Sequence, residues 1–179
     1  MIRQQAPSVV SIDGAKVTGG EATVVFTSDG GTVSVSDLAV DDVTADALIS
    51  LENGGQGTLA QSTIENSSFT SVTTASSGGV QEVSDTTVSN MRKLEDAFFA
   101  SGNDSTVRLI RSTIEFNALS NRWRVMNVRN GAQGSSLETT VAENGGLQFA
   151  FTASSAATSL TIEDTFFVQN SGRGVSSSA

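Results

Sequence analysis

One pattern returns along the whole chain at nearly constant spacing: an apolar residue, four residues, a second apolar residue, one or two residues, then Asn. It reads Leu59…Ile64…Asn66, Val83…Val88…Asn90, Leu109…Ile114…Asn117, Leu137…Val141…Asn144 and Ile162…Phe167…Asn170, with Leu137 one residue short of register. Val35…Val40…Asp42 and Ile12…Val17…Gly19 are earlier rows in which Asn gives way to other residues that tolerate a left-handed backbone. The first apolar column (Ile12, Val35, Leu59, Val83, Leu109, Leu137, Ile162) advances by 23 to 28 residues per step. A period of that length marks a solenoid or a stacked array.

The apolar runs are short, β-branched and broken every few residues by Ser, Thr, Gly or Asn, so the coils are built of strands and not of helices. Leu59 and Ile64 differ in parity, and both can point inward only if the chain bends between them, at Gln61-Ser62-Thr63. The Asn position marks a second corner. A third apolar column follows it at Phe69, Leu94, Leu119 and Leu147, and each row closes on a turn such as Asp29-Gly-Gly31, Asn53-Gly-Gly55 or Ser77-Gly-Gly79.

These rows, and Ile162-Glu-Asp-Thr-Phe-Phe-Val-Gln-Asn170 above all, resemble the right-handed parallel β-helix, or pectin-lyase-like, superfamily and in particular its non-enzymatic surface-protein repeats. The expected fold is all-β: a right-handed parallel β-helix of six to seven coils of about 24–28 residues, with three short strands per coil and no evident caps. A single domain is expected over 8–172, with 1–7 and 173–179 as flexible ends or as continuation into neighbouring sequence or a neighbouring subunit. The resemblance specifies architecture, and the fold carries many activities.

Composition narrows the chemistry. The 179 residues include no Cys and no His, so thiolate metal sites, disulfides, Cys nucleophiles and the commonest general base are excluded. The net charge of −9, with Lys only at Lys16 and Lys93, makes nucleic acid a poor partner, and no apolar run is long enough to insert into a membrane. No signal peptide stands in Met1–Pro7, and no cofactor is expected.

Five sets of residues are candidates for a role. Asn66, Asn90, Asn117, Asn144 and Asn170 are expected to stack as one structural ladder at a left-handed corner. Ser62, Thr86, Ser112, Thr140 and Thr165 are expected to cap the first bend. The charged column Asp37, Gln61, Asp85, Arg111, Glu138 or Thr139, and Asp164 would set Arg111 between acids; lyases of the resembled fold use carboxylates to bind Ca²⁺ and an Arg or Lys as base. No residue here matches their motifs, nor the Asp cluster and Gly-His-Gly of the hydrolases, so no catalytic or metal-binding residue is assigned and no enzyme is expected. Arg108, Arg111, Arg122, Arg124 and Arg129 surround Trp123, the sole Trp, as a partner-contact patch, with a surface loop or an anionic-ligand site as the other readings. Of two N-glycosylation sequons, Asn66-Ser-Ser68 and Asn103-Asp-Ser105, Asn103 in a turn is the better acceptor.

The expected function is a structural or adhesive module, extracellular or at the cell surface, which assembles end to end into a filament or forms part of a longer solenoid. Its partners would be copies of itself or an adjacent β-helix. The alternative is a carbohydrate-binding or carbohydrate-active domain that holds a polysaccharide on a flat face. A weaker reading is an ice-binding face of Thr32, Thr58, Thr106 and Thr158, broken at Val80 and Ser135.

Overall fold

A computed structural model describes the backbone of residues 2–5 and 9–178, and the side chains of 9–117, 119 and 123–178. Strands make up its regular structure, and no helix occurs among the described residues. They sort into three parallel sheets. A long-strand sheet of eight strands runs through Ile2–Gln5, Glu21–Asp29, Thr44–Glu52, Ser68–Ser76, Asp96–Ser101, Ala118–Arg129, Gly145–Ser154 and Arg173–Ser178. A sheet of seven five-residue strands runs from Val9–Asp13 to Ser159–Glu163, and one of seven three-residue strands from Lys16–Thr18 to Phe166–Val168. The chain visits the three in turn, so each circuit adds one strand to each sheet. The result is a parallel β-solenoid of about seven turns. Strand pairing runs past the expected bounds of 8–172: Ile2–Gln5 pairs with Glu21–Asp29, and Arg173–Ser178 with Gly145–Ser154.

The apolar columns stack as the repeat requires. Leu59 pairs with Val35 and Val83, and Ile64 with Val40 and Val88; all are buried. The remaining side chains of each strand alternate outward, which is why Thr32–Ser36 and Ser159–Glu163 read polar-apolar-polar-apolar-polar. Leu137 is a correction. Its strand pairs Ser136 with both Leu109 and Ile162, so Ser136 takes the inward place and Leu137 turns outward. The Ser136 hydroxyl meets that of Thr165 at 3.0 Å, which is how an inward polar group is tolerated there. Two coils earlier, in the neighbouring inward column, Gln81 is fully buried; a Cβ on Gly57 would stand 3.0 Å from its Oε1, so the long side chain fills the width that the glycine leaves.

Two corners per coil are left-handed in every coil. The first is Gly14, Asp37, Gln61, Asp85, Arg111, Glu138 and Asp164; the second is Gly19, Asp42, Asn66, Asn90, Phe116, Glu143 and Gln169. A non-glycine residue held there costs about 1–2 kcal/mol, less for Asn or Asp, and the stacked core is what holds it. The residue after the first corner caps it. Ser62, Thr86, Ser112 and Thr165 each donate to the carbonyl two residues before, and the fifth member of that column is Thr139, since Thr140 is already in the next strand.

The single Asn ladder is also corrected, because the Asn residues fall in two columns. Asn66 and Asn90, two residues after the apolar position, are the left-handed corner residues and are exposed. Asn117, Asn144 and Asn170 come three residues after it and point inward, one place beyond the corner. There they form the ladder. Asn117 Nδ2 donates to Asn144 Oδ1 at 3.0 Å, and Asn144 Nδ2 to Asn170 Oδ1 at 3.0 Å. The same oxygens accept the backbone N–H of Asn117 and Asn144, and each Nδ2 also donates to a carbonyl of the preceding coil. Ser67 plays the part in an earlier coil, accepting from Val43 N at 3.1 Å.

Candidate functional site

The charged corner holds the exposed ion pair that the repeat implied. Arg111 Nε and Nη2 donate to the two oxygens of Asp85 at 2.9 and 2.8 Å. Hydrogen bonding to the guanidinium holds the Asp85 carboxyl below its usual range, and the same bonds hold the Arg111 proton more tightly, with Glu138 adding to the effect from the next coil. The two charges are engaged with each other. A guanidinium so held is a poor base. Among the described residues no group of three or more Asp or Glu is placed to hold a metal ion.

The expected arginine patch is dispersed, and Trp123 is its clearest correction. Trp123 is completely buried, pairs with Leu147, and donates its Nε1 proton to Gly145 O at 2.8 Å. It therefore occupies the third apolar column in its coil in place of Leu119, which is buried as well. The extra residues make a break in register between Ala118 and Trp123. Arg108 sits on the five-residue sheet against Glu82 at 3.3 Å, Arg111 at the corner, and Arg124 and Arg129 on the long-strand sheet. The side chain of Arg122 lies outside the described residues. Alternation in Arg122-Trp123-Arg124 was the available signal that the indole faces inward.

A polar chain on the long-strand sheet escaped the sequence reading. Arg124 Nε donates to Asp96 Oδ1 at 2.5 Å, Asn127 Nδ2 to Asp96 Oδ2 at 2.9 Å, and Thr152 Oγ1 to Asn127 Oδ1 at 3.0 Å. Each buried group is satisfied by the next, which makes it a structural network. Beside it Arg129 lies 4.5 Å over the Phe99 ring and Arg173 5.7 Å over Phe149. Arg124 shares a column with Asp96, Asn127 with Thr152 and Arg173 with Phe149, while Arg129 stands two places along from Phe99, and these relations become visible only once the coil-to-coil register is known.

The other candidates also find places. Asn103 is exposed in its turn, while Ser105 of the same sequon is buried, donating to Ser101 O and accepting from Gly78 N. Asn66 is bonded to Asp41. The four threonines of the expected flat face do not share a column: Thr32 and Thr106 lie in one, Thr58 in another and Thr158 in a turn. A real threonine column stands on the three-residue sheet, at Thr63, Thr87, Thr113 and Thr140.

The least satisfied surface is the face of the last coil. Val141 and Phe151 are completely buried, yet the residues stacked on them, Phe167 and Val175, are 42% and 55% exposed. Phe167 therefore departs from the burial expected of its column, because Phe166–Val168 is the end strand of its sheet among the described residues; its ring meets Phe151 edge-on at 5.6 Å. Phe166 and Val168 beside it are exposed as well. At the opposite face Val10, Ile12 and Val17 are half-buried, whereas Val33, Val35 and Val40 one coil further in are fully covered. No family model, curated protein or solved structure matches the chain.

Proposed function

We propose that the protein is a structural module whose copies stack end to end, continuing the solenoid from one copy into the next. The open apolar face of the last coil, with Phe167 and Val175 uncovered, carries this reading. The opposite face complements it. Stacked in register, Leu160 would cover Val10 of the next copy, Ile162 its Ile12 and Phe167 its Val17, so these three inward columns continue as apolar on apolar. Such a contact joins two different surfaces and gives filaments where the rotation does not close. Placement in the pectin-lyase-like superfamily belongs to the same proposal, supported by three strands per coil and by the Ile162–Asn170 motif.

Sedimentation over a concentration series, with electron microscopy of the largest species, tests it. Particle length should grow with concentration, and growth should strengthen with salt, which screens the −9 charge on each copy and the acid pair, Glu163 over Asp13, that meets at the seam. Phe167→Asp should stop growth while leaving the middle coils folded. A species that keeps the mass of one copy throughout overturns the proposal.

A further inference from the structure

Building on that end-to-end reading, we propose that the copies join by strand exchange, with Arg173–Ser178 of one copy taking the place of Ile2–Gln5 on the next. The strand count motivates this. The long-strand sheet has eight strands and the other two have seven, because Ile2–Gln5 opens the first coil and Arg173–Ser178 opens an eighth. Let a second copy set its Val9–Asp13 on Ser159–Glu163 and its Lys16–Thr18 on Phe166–Val168. Its Ile2–Gln5 then falls at the level that Arg173–Ser178 already holds. Raising the second copy by one level removes the conflict, but it leaves a vacant level about 4.8 Å deep in the other two sheets. That would keep Ile162 and Phe167 uncovered and defeat the contact.

The register shows that the two strands are interchangeable. Ile2, Arg3, Gln4 and Gln5 pair with Phe26, Thr27, Ser28 and Asp29. The Phe26 column runs through Ile49, Thr73, Phe98, Met126 and Phe151 to Val175. Val175, Ser176, Ser177 and Ser178 therefore stand in the same four columns as Ile2 to Gln5. Both stretches read apolar, polar, polar, polar. Arg173–Ser178 is also the better anchored, with five paired positions against four and with Arg173 seated on the Phe149 ring. It stays, and Ile2–Gln5 of the next copy is displaced, so that main-chain hydrogen bonds are exchanged between copies in register.

Since the chain has no Cys, single substitutions report the arrangement cleanly. Thr27→Cys and Ser176→Cys lie six strands apart within one copy, about 29 Å at roughly 4.8 Å per strand, far beyond the ~6 Å between Cα atoms that a disulfide spans. Exchange places them side by side across the seam. Mixing the two variants under mild oxidation should yield disulfide-linked pairs, whereas Arg3→Cys mixed with Ser176→Cys, which reports stacking one level higher, should yield none. Assembly in which Thr27→Cys fails to link, whether or not Arg3→Cys does, overturns the exchange and leaves end-to-end stacking standing. Sedimentation of the unsubstituted chain as single copies at every concentration overturns both.

Discussion

At the scale of single residues, the difference between Asn90 and Asn144 is one position of spacing, and its consequence is large. Asn90 stands at the corner, exposed, where its merit is a low cost for φ of 52°. Asn144 is buried and bonded to four partners: it accepts from the backbone and the amide of Asn117 and donates to Ile114 O and Asn170 Oδ1. Truncation at Asn144 strands several buried groups, each worth on the order of 1–3 kcal/mol, whereas truncation at Asn90 strands none. Asn144→Ala should therefore destabilise by about 3 kcal/mol and Asn90→Ala by about 1 kcal/mol, measured by urea unfolding. Equal losses would show that the ladder carries no special weight. Both spacings stood in the sequence, as the gap of one or two residues before Asn. What was not visible is that a one-residue slip past a left-handed corner turns a side chain from solvent to core.

At the scale of the element, the strand Ala118–Arg129 shows where column reading succeeds and where it fails. The repeat located the coil, but it gave the inward place to Leu119 and left Trp123 to the surface patch. The choice depends on where the added residues bulge, which no periodicity encodes. The structure awards the place to Trp123 through its pairing with Leu147 and its bond to Gly145 O. An indole so enclosed, and the only one in the chain, gives a direct test. Its fluorescence should be blue-shifted and resist acrylamide in the native protein, and both properties should vanish together on unfolding. Emission typical of solvated Trp in the native state would return it to the surface patch. The Arg-rich composition around it suggested a patch, but arginines close in sequence sit on different sheets here, Arg108 on one and Arg124 on another. In a solenoid, closeness on the surface follows the coil period more than the sequence interval.

At the scale of the whole molecule, each coil touches only its neighbours, so stability is a sum of coil and seam contributions and is lowest where a neighbour is lacking. The inward side chains follow that rule: fully buried at Leu59, Val83 and Leu109 in the middle, half-buried at Ile12 and Ile162 toward the two faces. Amide hydrogen exchange should reflect it. In dilute solution the amides of Ser159–Glu163 and Phe166–Val168 should exchange through local opening well before those of Val80–Ser84 and Thr106–Ile110. End-to-end stacking as proposed would supply the missing neighbour, and a contact formed at 100 times its dissociation constant would stabilise the covered coil by about 2.7 kcal/mol, a slowing of roughly a hundredfold. Raising the concentration should therefore slow exchange at the two end faces while leaving the middle strands unchanged, and Phe167→Asp should abolish that dependence. Slowing spread evenly along the chain would point to contacts along the sides of the solenoid, and the exposed Phe166 and Val168 on the outer face of the three-residue sheet would then be the place to look.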